Sequence, residues 1–389
     1  MSFRGWSGAV WSSLVLTAVA GCSSVEREPR SADLSARDGS VTGSGGGETG
    51  GAGGTGPLGA GGSSGGGASA DAGPGPYAYC YANGGHVYGV PKGAGGTVLL
   101  AAGTPTETIG GAFTFDAGHV YYSSWDASTL DGPMRIVMQP TTDGGRPVTL
   151  VSGLHWVNAI TVDATALYFV DVTPAPAAPA TIVGKVPLTG AEPADSGTFE
   201  KLAESAEGTI QGGRTIATYG DYVYWGEAHI GMVVYKPVSI TAIKRTPKVG
   251  GAIDTLASNI DFLTDIAVDA SGLYFLAPGQ GTYTTSTYGS VGYLAPGAQS
   301  PVVLASNLAG ASSLAVKDGT AYFATMGWGP TNQPQPIGTV SKVSPSGSVE
   351  TLAQGLTDPD NLYVDGADVY FTVVTDPQTG TWAPSIIPR

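Results

Sequence analysis

From about residue 86 the chain repeats one pattern of apolar and polar positions. The stretch "IAVDASGLYFLA" (266–277) runs apolar, breaks at Asp-Ala-Ser-Gly and resumes apolar, as two short antiparallel strands joined by a tight turn would. Nearly the same text returns as "ITVDATALYFVD" from Ile160, "LAVKDGTAYFAT" from Leu314 and "LYVDGADVYFTV" from Leu362. Aligned on their aromatic doublets (Tyr121-Tyr122, Tyr168-Phe169, Tyr224-Trp225, Tyr274-Phe275, Tyr322-Phe323 and Tyr370-Phe371), successive units stand 47, 56, 50, 48 and 48 residues apart. That spacing is the period of a four-stranded propeller blade.

Each unit continues with a third strand that ends in a recurrent proline ("RIVMQP", "IVGKVP", "AIKRTP") and a fourth ("EKLAES", "DTLASN", "ETLAQG"). Five units are complete, and the sixth has its first two strands at Leu362–Val373. Its missing strands are matched near the front by "HVYGVPKG" from His86 and "TVLLAAG" from Thr97. The pattern predicts an all-β, six-bladed β-propeller of four-stranded antiparallel blades, closed by N-terminal strands that complete the last blade. "SIIPR" at the C-terminus also reads as a third strand, so seven blades, with a partial one near Tyr77–Tyr81, is the alternative. The units resemble those of six-bladed propellers with YWTD repeats, and Leu167-Tyr168-Phe169-Val170-Asp171 comes nearest to that signature. The resemblance spans residues 86–376 and implies the fold; propellers host receptors and enzymes alike, so it implies no single activity.

Composition narrows the partners. Charged residues make up 12% of the chain, against 61 Gly and 27 Pro, which favours short strands and turns over helices. A formal charge of −14 with only 17 Lys and Arg argues against a nucleic-acid partner. Residues 39–76 are dominated by Gly, Ser and Ala without apolar periodicity, so they read as a flexible tether spanning some tens of ångströms.

Ahead of the tether, Arg4 precedes the apolar segment "WSSLVLTAVA", too short to span a membrane, and then "VAGC". Val19, Ala20, Gly21 and Cys22 resemble the bacterial lipobox, which implies cleavage before Cys22 and a lipid on it. The expected division is 1–21 signal peptide, 22–76 lipidated cysteine and tether, and 77–389 propeller. Ser23 and Ser24 resemble the pattern that directs lipoproteins to the outer membrane, facing periplasm or surface. Cys80 is then left without an internal disulfide partner, and the protein is expected to be a monomer.

Two sets of residues are candidates for function. Asp116, Asp163, Asp269 and Asp365 recur at one repeat position, but their settings ("DAGH", "DATA", "DASG", "DGAD") are those of turns. The doublets read as packing between blades. In the segments leading into the innermost strands, Asn158, Asp265 and Asn361 fall in alternate units, about 120° apart in a ring of six, with Asp360 beside them. Such oxygen donors suit Ca²⁺ or Mg²⁺. The arrangement resembles the regucalcin and gluconolactonase type of propeller, although no Glu occupies these positions, and it supports a lactonase-like, metal-dependent hydrolase as the alternative function. The long loops carry Trp125, His229, Tyr235, Tyr283, Tyr288, Trp328 and Trp382, on the same face as His155, Trp156 and Arg214. Exposed aromatics among Gly, Pro and Thr make a recognition surface for an envelope protein, peptide or glycan, the leading expectation. The four histidines have no HExxH or GxSxG context, and His155 is the candidate acid or base among them.

Overall fold

The computed structural model describes Pro76–Arg389 apart from residues 84, 93–95, 130–131, 143–144, 174–179, 189–197, 206–211, 234–235, 262, 278–288, 327–335 and 377–380. Residues 83, 111, 212–214, 228–233, 236–240 and 261 are described in their backbone alone.

Among the described residues, twenty-six strands form seven antiparallel sheets, each built from strands consecutive in the chain. The first sheet holds β1 (Tyr77–Asn83), β2 (His86–Pro91) and β3 (Val98–Ala102). The second holds β4 (Glu107–Phe115), β5 (His119–Asp126), β6 (Met134–Pro140) and β7 (Val148–Leu154). The third comprises β8 (Val157–Val162), β9 (Ala166–Thr173), β10 (Ala180–Pro187) and β11 (Glu200–Ser205). The fourth comprises β12 (Gly212–Tyr219), β13 (Tyr222–Val233), β14 (Lys236–Pro247) and β15 (Asp254–Asp261). In the fifth are β16 (Asp265–Asp269), β17 (Gly272–Ala277), β18 (Gly289–Leu294) and β19 (Val302–Leu308). In the sixth are β20 (Ala311–Lys317), β21 (Thr320–Thr325), β22 (Pro336–Val343) and β23 (Glu350–Thr357). The seventh has three strands, β24 (Asp360–Val364), β25 (Asp368–Asp376) and β26 (Thr381–Pro388).

The molecule is therefore a propeller of seven blades, the alternative at the closure, rather than six. β1 pairs with β2 along Tyr77–Asn83 and keeps β2 and β3 as a blade of their own. β26 pairs with β25 from Thr381 to Pro388 and supplies the third strand that the six-bladed reading took from the front of the chain. Both ends of the chain thus pair with their own sequence neighbours, and among the described residues no strand is exchanged between the first and seventh sheets. Side chains join the ring instead. Tyr79 stacks on Tyr363 at 6.2 Å and on Tyr370 at 5.8 Å, and its hydroxyl donates to the Asn361 carbonyl.

The core lies between the sheets. In each doublet the first aromatic faces the following blade and the second the preceding one: Tyr168 packs with Ile216 and Trp225, while Phe169 packs with Tyr121 and Leu150. Tyr274 and Phe275 divide the same way between the sixth and fourth blades. This alternation follows from the two-residue period of a strand. It leaves no room beside the second ring: a Cβ at Gly184 would sit 2.2 Å from Phe169, and one at Gly292 2.0 Å from Phe275.

Candidate functional site

The propeller has a turn end, with the hairpins joining first to second and third to fourth strands, and a loop end, with the connections between blades. At the turn end the recurring aspartates are structural, as their settings implied. Asp116 Oδ1 accepts the Gly118 and His119 amides, and its Oδ2 accepts the Tyr121 hydroxyl at 2.7 Å. Asp365 repeats this with Ala367, Asp368 and Tyr370. Asp269 accepts the Ser271 amide and also the Gly319 amide of the next blade. Asp163 accepts the Thr165 and Ala166 amides and, at 2.7 Å, the Lys248 ammonium of the next blade. Burial pushes the Asp163 carboxyl upward, but Lys248 and the Thr165 and Ala166 donors outweigh it and hold the group down to about 2.

The loop end is built differently. Asp171, at the end of the YWTD-like segment on β9, is buried, and its Oδ1 accepts the backbone amides of His155 at 2.9 Å and Trp156 at 2.8 Å. Its Oδ2 lies 3.3 Å from His155 Nδ1. The dipeptide so held is itself open to solvent: the His155 side chain is 52% exposed and Trp156 54%. One blade on, Glu227 occupies the corresponding place, three residues after Tyr224 as Asp171 follows Tyr168. Glu227 is fully buried and accepts the Lys244 ammonium at 2.7 Å and the Ser205 hydroxyl of the preceding blade at 2.8 Å. In the second blade Arg135 bridges Glu107 at 2.7 Å and Ser124 at 3.0 Å.

Around the channel, Asp265 and Ser313 share one repeat position, nine residues before the first aromatic, and each reaches to the next innermost strand. Asp265 Oδ2 accepts the Leu314 amide at 3.0 Å, and Ser313 Oγ accepts the Leu362 amide at 2.9 Å. Asn361, next in the series, adopts a left-handed backbone (φ 53°) and donates its side-chain amide to Thr372 Oγ1 at 3.1 Å. Asp360 is buried beside it. Burial pushes the Asp265 carboxyl well above the usual carboxylate range; the Leu314 amide opposes the rise and the Asp360 charge adds to it. The seventh sheet removes the threefold spacing expected of a six-bladed ring. Asn158, Asp265 and Asn361 stand in the third, fifth and seventh blades, so the gap from seventh to third is three blades rather than two. Among the described residues no three His, Cys, Asp or Glu side chains converge as a metal site would require.

The remaining predicted residues divide. Trp125 is half-buried against the core between the second and third blades, folded onto its own sheet. Trp382 is half-buried on β26, opposite Val374. Arg214 lies on β12 and His229 on β13, with side chains outside the described set. Cys22, Tyr235, Tyr283, Tyr288 and Trp328 lie outside the described residues. Cys80 is a buried free thiol whose pKa burial pushes up, with a smaller contribution from Asp116. Sequence reasoning missed Asp171, Glu227 and Lys244. The available signal was an acidic residue at the same place in adjacent repeats.

No family model and no curated protein matches the chain. Among solved structures, it is similar to acylaminoacyl peptidase of Pyrococcus horikoshii at 10% identity and a TM-score of 0.48, covering 78% of this chain and 46% of that one. The β-propeller domain of the Trilobed protease from Pyrococcus furiosus matches at 11% identity and 0.49, covering 79% and 88%. An α-L-arabinanase of Penicillium chrysogenum matches at 9% identity and 0.42, covering 70% and 90%. This chain thus spans under half the length of the peptidase.

Proposed function

We propose that the protein is a binding module of the cell envelope, anchored through a lipid on Cys22, that presents the loop end of its propeller to a protein, peptide or glycan. The carrying observation is the buried Asp171 carboxylate, which holds the backbone of an exposed His-Trp pair. Fixing the backbone that carries an indole before its partner arrives lowers part of the entropy cost of binding, and Trp is enriched among residues that dominate interface energy. Burying a carboxylate is costly unless it is hydrogen-bonded, and here its bonds serve a segment whose side chains face solvent.

A photo-crosslinking residue at position 156, expressed in cells, tests this against the same residue at Val249, which is 83% exposed at the turn end. Adducts from 156 alone support the reading; none, or equal labelling from both positions, removes it. Cys22→Ser tests the anchor separately, since the variant should leave the membrane fraction.

A second reading, a lactonase-like hydrolase holding Ca²⁺ or Mg²⁺, draws support from two buried carboxyls, Asp265 and Asp360, at the entries to innermost strands. Asp265 and Asp360 would hold the ion with Asn361 and Asn158, and the ion would replace repulsion between the carboxylates with attraction. Millimolar Ca²⁺ or Mg²⁺ should then raise the melting temperature of the wild type and not of Asp265→Ala. No shift in the wild type ends this reading.

A further inference from the structure

Six of the seven sheets finish in an outer strand, and all six outer strands are built alike. β3, β7, β11, β15, β19 and β23 carry Leu100, Leu150, Leu202, Leu256, Leu304 and Leu352, each followed by Ala or, once, Val. In every case the leucine is the extra residue of a β-bulge. Val87 pairs with Ala101 and Tyr88 with Leu99; Ile136 pairs with Val151 and Val137 with Thr149; the same skip recurs in the other four. The third-strand residues facing these bulges, Val87, Ile136, Val183, Ile243, Val291 and Val340, are each 0% exposed.

The seventh sheet breaks the series. Among the described residues β26 pairs only with β25, so its outer edge carries no strand. The position equivalent to Val340 is Pro384, set opposite Thr372 as Val340 is set opposite Ala324, and it is only half-buried. Two residues on, Ile386 is 51% exposed. Both stand on the face that also carries Tyr370, the face turned toward the first blade.

We propose that the outer edge of β26 is a docking site for an extended strand of a partner protein, of the form x-x-Leu-Ala-x-Asn or x-x-Leu-Ala-x-Gly. The chain itself identifies the occupant, because it seats this sequence against the same third-strand surface in the other blades. The interface is a continuation of one present six times. The sixth position takes Asn or Gly because the backbone turns left-handed there, at Gly153, Asn259, Asn307 and Gly355 (φ 60° to 77°). Main-chain hydrogen bonds along the edge would supply affinity, and the leucine, entering between the seventh and first blades, specificity. Pro384 is compatible with this, since proline is accepted in sheets at edges and bulges and stands here where the other blades place the bulge. By removing one donor it also makes the edge a poor template for indiscriminate pairing.

The test uses the full-length chain and a fluorescent peptide copying residues 254–261, Asp-Thr-Leu-Ala-Ser-Asn-Ile-Asp. Saturable binding is expected, with amide exchange across 381–388 slowed at least about tenfold. The peptide carrying Leu256→Asp should bind at least about tenfold more weakly, because a charge cannot enter the gap the leucine fills. Ile386→Lys, at an exposed position, should weaken binding without changing the melt. No binding, equal binding of the two peptides, or protection of a different sheet overturns the proposal. Protection of β26 before any peptide is added, or a dimer that protects it, also overturns it in favour of an occupant already present.

Discussion

At the turn end, Asp116, Asp163 and Asp365 each accept two backbone amides and a side-chain donor, and all three carboxyls lie below their ordinary range. At the loop end, Asp171, Glu227 and Asp265 are more deeply buried, and their bonds go to a lead-in dipeptide, to Lys244 together with a serine of the preceding blade, and to a neighbouring strand. The residue type is nearly constant; the source of the donors differs, mainly the hairpin itself at one end and another segment of the chain at the other. A carboxylate saturated by its own hairpin stabilises the fold wherever the hairpin recurs. One buried at the loop end depends on donors from another segment, so removing its partner is the more costly change.

The largest effect that tests this contrast is Lys244→Ala, which removes the ammonium from the fully buried Glu227 carboxyl. A loss of about 3–5 kcal/mol in denaturant unfolding is expected. A loss no greater than that of an exposed lysine would place the pair outside the costly class. Next is Asp163→Ala, which removes two amide acceptors and the bridge to Lys248, and should cost about 1–2 kcal/mol near pH 7. Because the folded-state carboxyl is depressed, its stabilising share is present above the ordinary carboxylate pKa and is lost as pH falls toward about 2. Melts of variant and wild type should therefore converge in acid; a constant gap between pH 7 and pH 2 contradicts the assignment.

Asp265→Asn should act in the opposite sense. The folded-state carboxyl is raised, so its stabilising share is whole below the ordinary carboxylate pKa and is lost as pH climbs through the raised value. The amide keeps an acceptor for Leu314 and carries no charge to bury. A gain on the order of 1 kcal/mol is expected at pH 8, shrinking toward pH 4; a variant less stable at pH 8 would refute it. The smallest stability change belongs to Trp156→Ala, within about 0.5 kcal/mol because the indole faces solvent. Loss of the crosslinked partner with the melt intact would place Trp156 in recognition, and retained capture would move the contact elsewhere on the loop end.

Much of this was legible in the chain. The strand–turn–strand unit, the turn role of the aspartates and the placement of each aromatic doublet on opposite strand faces all rest on neighbours within about ten residues, where strand period and Asx-turn chemistry act directly. Asp171 was visible as the end of the best-matching repeat, yet its bond to His155 and Trp156 was not, because it crosses from the second strand back to the segment before the first. The candidate metal residues show the same limit. Their repeat positions were readable, but their angular spacing depended on the number of blades.

By itself the sequence determined the repeat, the all-β class, the hairpin register and the Gly-rich stretch ahead of the propeller, because short-range alternation and turn residues act within one sheet. Only the tertiary structure decided that the ring has seven blades, that Tyr79 closes it, that Asp171 holds the backbone of an exposed tryptophan and that, among the described residues, β26 pairs only with β25. Each of these depends on which of several compatible edges and faces meet. That choice is set by burial across the whole ring, which no local pattern encodes.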